Sequence, residues 1–163
     1  MEKILVIAGS NCSHSINQWF AQEIAKNDNV DFLDTRKADA PYYSIDIQEK
    51  EGIVPKIIEL YNKIHSYKKL IIVTPEYNGY VSSFFKSITD WLSRYERFYL
   101  ENIDVVIVSV TPGARAGASV RESLSKMLSF TNANILGDYG IGDFDNTKDY
   151  SKDITNILAM FDK

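Results

Sequence analysis

Five short apolar segments alternate along the chain with segments whose apolar residues recur every three or four positions. Three of them, Ile4–Ala8, Leu70–Val73 and Val105–Val110, contain almost no polar residue. Such runs are typical of parallel strands buried on both faces of a sheet. Val30–Thr35 and Ala133–Leu136 are mixed or short, which favours the edges of the sheet. The pattern therefore predicts five strands, with the first, third and fourth in the middle.

The segments between and after the strands have helical periodicity. Five helices are predicted, with apolar stripes within residues 16–24, 54–64, 84–95, 120–128 and 154–161. A loop rich in polar residues begins at Asp39–Tyr43 and leads to the second helix, which Pro55 opens. With right-handed crossovers, this alternation predicts an α/β fold. We expect a flavodoxin-like three-layer sandwich around a five-stranded parallel sheet in the order 2-1-3-4-5.

Length and charge narrow the classes of function. The 163 residues suit one domain spanning the whole chain, 1–163. The net charge of −4 argues against nucleic acid as a partner, because binding phosphates requires a basic face. The first apolar run is too short for a membrane span or a signal peptide. The only cysteine, Cys12, allows no internal disulfide, so we expect a cytoplasmic protein.

The predicted strand order places candidate chemistry in three loops. Its switch point lies between strands one and three, where open α/β sheets bind ligands. The loops after strands one and three should therefore share a crevice, with the loop after strand four beside them.

The loop after strand one combines hydroxyl groups with a helix N-terminus. Ser10, Ser13 and Ser15 precede the first helix, and unpaired N–H groups at a helix start bind phosphate well. The alternative is that Ser13 or Ser15 only caps the helix.

The loop after strand three reads Thr74–Gly79. Pro75 fixes its own φ, and Asn78-Gly79 can adopt positive φ at low cost. Such a loop can present its backbone to a flat ligand with a polar edge, or it is simply a tight turn. After strand four, the small residues of Thr111–Gly117 let a backbone approach a planar ring closely, the alternative being an ordinary turn.

These three loops together resemble the NADPH-dependent FMN reductase family. The sequence T-P-E-Y-N-G precedes a helix with the family's residues, and Gly9, Ser10, Ser15 and Asn17 match its first loop. Pro112, Gly113 and Gly117 are similar to its glycine-rich loop. The resemblance implies a flavodoxin-like fold and an FMN site. The expected cofactor-binding residues are Ser10, Cys12, Ser15, Ile16, Asn17, Pro75, Glu76, Tyr77, Asn78, Gly79, Thr111, Pro112 and Gly113.

The chain departs from the family at Cys12, where an Arg is usual. A charged contact to phosphate contributes about 1.5–3 kcal/mol. Its loss is expected to weaken FMN binding by about ten- to a hundredfold. Cys12 itself is either a reactive thiol near a helix N-terminus or a small filler residue. The lack of a second cysteine favours the filler.

The resemblance also implies a reaction. NADPH or NADH would reduce FMN, which would then reduce a small-molecule acceptor: a flavin, quinone, azo compound or metal oxyanion, in a ping-pong cycle. No side chain is assigned a catalytic role, because the redox chemistry is the cofactor's. No metal site is predicted. The alternatives are a flavodoxin-type electron carrier and a non-catalytic flavin-binding protein.

Several finer expectations follow from the resemblance. Backbone N–H groups of Tyr77–Gly79 should meet the polar edge of the flavin. The start of the helix after Gly117 should stabilise negative charge on the reduced ring. Tyr77 or Tyr80 could form a wall of the nicotinamide pocket.

The aromatic residues at Tyr95–Leu100 extend beyond one buried stripe, and with the family they predict a homodimer or homotetramer.

Overall fold

One parallel sheet of five strands organises the described part of the chain. The structure is a computed structural model that describes residues 2–162. The strands are β1 (Ile4–Ala8), β2 (Val30–Leu33), β3 (Lys69–Thr74), β4 (Asp104–Val110) and β5 (Asn134–Ile141). Their order in the sheet is β2-β1-β3-β4-β5, and every pair is parallel. The predicted strand order is confirmed.

Within residues 2–162, six α-helices connect or follow the strands. They are α1 (Ile16–Ile24), α2 (Ile45–Glu51), α3 (Pro55–His65), α4 (Ser83–Tyr95), α5 (Ala118–Leu128) and α6 (Ser151–Leu158). Short 3-10 segments cover Thr35–Ala38, Ser129–Thr131 and Ala159–Asp162. No helix within residues 2–162 combines the length and apolar character that crossing a bilayer requires.

The helices form two layers because the strands are apolar on both faces. Successive side chains of a strand point to opposite sides. Thus Leu5 and Ile7 of β1 pack with α3, α4 and α5, whereas Val6 and Ala8 pack with α1 and α6. Both clusters are dominated by buried side chains, so the flavodoxin-like three-layer arrangement is confirmed.

The sheet edges differ from the prediction. β2 ends at Leu33, and Thr35 instead begins a 3-10 segment. β5 continues to Ile141, well beyond the predicted Leu136. Gly137 and Gly140 lie within β5 and obscure its pattern, because glycine weakens a strand signal. A register shift between β4 and β5 also interrupts the alternation.

The prediction of a direct loop from Asp39–Tyr43 to the helix at Pro55 was wrong, because α2 lies between them. None of the residues of α2 is buried, and Ile45 is exposed. Only Ile47 of α2 packs against the core, and one partly buried residue forms no apolar stripe that periodicity could reveal.

The aromatic residues around the end of α4 divide between core and surface. Phe85 is the buried residue of its first turn, and Phe84 is partly buried against the same core. Tyr99 and Leu100 are buried in the core, and burial raises the pKa of the Tyr99 phenol. Tyr95 and Phe98 remain 39% and 37% exposed, respectively. The apolar surface at this end is therefore smaller than the sequence suggested.

Candidate functional site

A cavity of about 640 Å³ lies where the loops after β1, β3 and β4 meet. This position is the switch point of the sheet, as predicted. Ten of the thirteen predicted site residues line it: Cys12, Ser15, Ile16, Asn17, Pro75, Glu76, Tyr77, Thr111, Pro112 and Gly113. The volume is within the range of about 300–1,000 Å³ that is usual for ligand pockets.

Ser10, Asn78 and Gly79 are the three predicted residues that do not line the cavity. Ser10 is buried under the first loop, where its Oγ accepts a hydrogen bond from the N–H of Cys12 at 3.3 Å. Its carbonyl accepts from Nε2 of Gln18 at 2.8 Å. Ser10 therefore holds the shape of the loop from below.

The first loop presents backbone donors that the protein does not use. Ser15 caps α1, and its Oγ accepts from the N–H of Gln18 at 3.3 Å, as one alternative anticipated. Within residues 2–162, the N–H groups of Ser13, His14 and Ile16 donate to no protein group. Free N–H groups at the start of a helix form a cup for an anion.

Asn17 fixes this cup against the centre of the sheet. Its side chain is buried, with Nδ2 donating to the carbonyl of Val110 at 3.0 Å. Its Oδ1 accepts from the N–H of Val110 at 3.1 Å. The two bonds join the first turn of α1 to the last residue of β4, so the first and third loops are held in one relative position.

The second loop is a tight turn with left-handed backbone at both central residues. Asn78 and Gly79 have φ values of 53° and 74°, which confirms the prediction of positive φ. Tyr77 and Tyr80 exchange two N–H to carbonyl hydrogen bonds of 3.0 Å across the turn. The N–H of Tyr77 is therefore occupied, contrary to expectation. Asn78 and Gly79 keep N–H groups that have no acceptor in the described part of the chain.

Glu76 changes the expected electrostatics at the start of α5. This helix has no side-chain cap of its own. Instead, Oε2 of Glu76 accepts from the N–H of Val120 at 3.4 Å. The carboxylate lies at the positive end of the helix dipole and offsets it. Glu76 therefore reduces the positive field that the start of α5 can exert on a ligand.

The third loop is held from below by Arg121, which the sequence analysis did not single out. The guanidinium donates through Nη1 to Oγ of Ser109 at 2.7 Å and to the carbonyl of Ala116. It also forms an ion pair with Asp138. A single arginine on an amphipathic helix usually reads as a solvated residue, so the sequence carries no signal for this role.

Comparison with known proteins gives the chain a family context. Residues 2–146 match the family described as NADPH-dependent FMN reductase. A Mycoplasma pneumoniae protein, "Uncharacterized protein MG342 homolog", is 32% identical over 163 residues, covering 97% of this chain and 98% of that protein. The quinone reductase of Escherichia coli K12 is 34% identical over 99 residues, which are 61% of this chain and 53% of the enzyme. The chain thus matches about half the length of that reductase.

Solved structures agree on the fold. The flavoenzyme NAD(P)H:(acceptor) oxidoreductase FerB from Paracoccus denitrificans superposes with a TM-score of 0.72 at 19% identity, covering 92% of this chain and 79% of FerB. The apo form of the NADH:FMN oxidoreductase EMOB gives 0.74 at 14% identity, covering 99% and 88%. At these identities the likeness concerns the fold alone.

Proposed function

The chain belongs to the NADPH-dependent FMN reductase family, and we propose that it binds FMN and transfers electrons from NADPH or NADH to a small acceptor. The acceptor class we propose is a quinone, flavin, azo compound or metal oxyanion. The observation that carries this proposal is the single cavity lined by all three loops that resemble the family.

The residues of this cavity fit the chemistry of FMN. The unused N–H groups of the first loop suit its phosphate, because they combine hydrogen-bond donors with the positive end of α1. Ile16, Pro75 and Pro112 provide apolar lining for a flat ring. The N–H groups of Asn78 and Gly79, on the adjacent turn, are available for polar atoms at the edge of the ring.

FMN, when bound, supplies the redox chemistry by accepting hydride from the nicotinamide and passing electrons to the acceptor. The protein contributes position and access. Tyr77 and Tyr80 are 52% and 45% exposed and stand at the turn beside the cavity. We propose that they form one wall of the place where nicotinamide and acceptor alternate. Asn17 keeps the anion cup in a fixed position relative to the third loop through its two bonds to Val110.

Flavin analysis and NADPH oxidation of the purified protein test this proposal. We expect the purified protein to show visible flavin absorbance, the flavin extracted from it to be FMN rather than FAD, and steady NADPH or NADH oxidation with a quinone. FMN is expected because the first loop offers one phosphate cup and no G-x-G-x-x-G sequence. Bound flavin without turnover would instead indicate an electron carrier or a non-catalytic binder. FAD in the extract would contradict the assignment of the cofactor.

Glu76→Gln is expected to raise the midpoint potential of bound FMN by about 10–20 mV. Removal of the carboxylate leaves the N-terminus of α5 free to stabilise the negative charge that flavin gains on reduction, an effect of about 0.5–1 kcal/mol. Spectroelectrochemical titration measures the potential. Glu122→Gln is the matched control, because Glu122 is an exposed residue of the same helix. Equal potentials for Glu76→Gln and the wild type would show that the carboxylate has no effect on the flavin.

We also propose that the protein forms a homodimer or homotetramer in the cytoplasm, with Tyr95 and Phe98 at an interface. Both rings are partly exposed at the end of α4, where aromatic residues suit an interface core. Light scattering is expected to give at least twice the 18.6 kDa mass of the chain. Phe98→Ser should shift the mass toward the monomer, whereas Tyr42→Ser, which also removes an exposed ring, should not. A monomeric wild type at micromolar concentration would contradict this proposal.

A further inference from the structure

Arg36 lies beside the first loop although it comes from a different part of the chain. It belongs to the 3-10 segment that follows β2, the strand next to β1. With Ser13, His14 and Ser15 it lines a cavity of about 330 Å³ over the start of α1. With Asn11 it lines a second cavity on the other side. The guanidinium therefore stands next to the anion cup from which the family's arginine is missing.

Asp34 holds Arg36 in a defined orientation. Oδ1 of Asp34 accepts from Nε at 2.8 Å, and Oδ2 accepts from Nη2 at 2.7 Å. This pairing lowers the pKa of the Asp34 carboxyl and raises that of Arg36, and Cys12 makes a smaller contribution to the latter. Nη1 of Arg36 donates to no protein group within residues 2–162. One arm of the guanidinium is thus fixed by Asp34 while the other keeps its donors for a ligand.

The 330 Å³ cavity over the start of α1 is also lined by Gln18, whose side-chain oxygen is a buried acceptor without a donor in the described part of the chain. Gln18 is 4% exposed, and its Oε1 has no hydrogen-bond partner among the described residues. Its Nε2 is already bound to the carbonyl of Ser10. Unpaired buried polar atoms are uncommon in native proteins and often mark a place that water or a ligand completes.

We propose that Arg36 binds the phosphate of FMN and so replaces the arginine that the family usually has at the position of Cys12. This inference rests on the proposed function, because it requires FMN in the main cavity. The positive charge then comes from the segment after β2 and not from the first loop. Asp34 orients the guanidinium of Arg36, as the loop backbone would orient an arginine at position 12. A guanidinium is suited to this contact because its planar donors match phosphate oxygens.

Titration of Arg36→Gln with FMN and with riboflavin tests the inference. Riboflavin lacks only the phosphate, so the ratio of the two dissociation constants isolates the phosphate contact. We expect Arg36→Gln to weaken FMN about tenfold and to leave riboflavin unchanged. Arg36→Lys should recover part of the loss. Lys37→Gln removes a charge from an adjacent exposed residue and should leave both constants near the wild-type values.

The outcomes separate this inference from the proposed function. If wild type and Arg36→Gln bind FMN with the same preference over riboflavin, Arg36 does not bind the phosphate, although the proposed function stands. If Arg36→Gln and Lys37→Gln lose the same preference, the effect is one of overall charge and the inference fails. If the wild type binds neither flavin, the proposed function fails and this inference with it. Unfolding curves of the apo-proteins verify that the variants are folded.

Discussion

Asn17→Ala is expected to lower the free energy of unfolding by about 2–4 kcal/mol, because it leaves two buried backbone groups with a lost partner. The Asn17 side chain is 2% exposed and bonds both the N–H and the carbonyl of Val110. Alanine cannot replace either bond, so the N–H and the carbonyl of Val110 both lose their side-chain partner. Denaturant unfolding of the apo-protein measures the change.

The matched control is Asn11→Ala. Asn11 lies in the loop just before α1, but it is exposed and its side chain forms no hydrogen bond within residues 2–162. We expect it to change stability by less than about 0.5 kcal/mol. A similarly small effect for Asn17→Ala would show that Val110 finds other partners. The stabilities of the two variants therefore decide whether the Asn17 bonds are structural.

The central strands could be predicted because their residues are almost all apolar. The apolar runs of β1, β3 and β4 are buried on both faces, so burial alone determines their pattern. The switch point followed from the strand order, and with it the meeting of the three loops. The predictions were wrong at the edge strands and at α2, where burial does not determine the sequence pattern. β5 contains glycines, and α2 has no buried residue.

The details of the site depend on contacts that the sequence does not encode locally. Asn17 and Val110 are 93 positions apart, and neither segment contains a sequence pattern that predicts the hydrogen bonds between them. Glu76 lines the main cavity, but its contact with Val120 depends on how β3 and β4 lie side by side. Arg36 and Arg121 belong to no recognisable sequence motif. Their roles can be inferred only from the structure, in which the sheet places each of them next to a loop of the site.

Cys12→Arg is expected to tighten FMN binding by about tenfold to a hundredfold. Cys12 is exposed in the first loop and lines the main cavity, so a longer side chain has room to reach the anion cup. Riboflavin, which has no phosphate, should bind both proteins equally. Cys12→Gln adds similar bulk without charge and should not tighten binding. An unchanged dissociation constant for FMN in Cys12→Arg would contradict the prediction.

Combining Cys12→Arg with Arg36→Gln connects this prediction to the proposed phosphate contact. If both arginines serve the same phosphate, the second contributes less when the first is present, because the charge is already partly neutralised. The gain from Cys12→Arg should therefore be larger in the Arg36→Gln background than in the wild type. Contacts of independent residues would give equal gains, since distant effects add. Four FMN titrations complete this cycle, and equal gains would show that Arg36 and residue 12 act on different parts of the ligand.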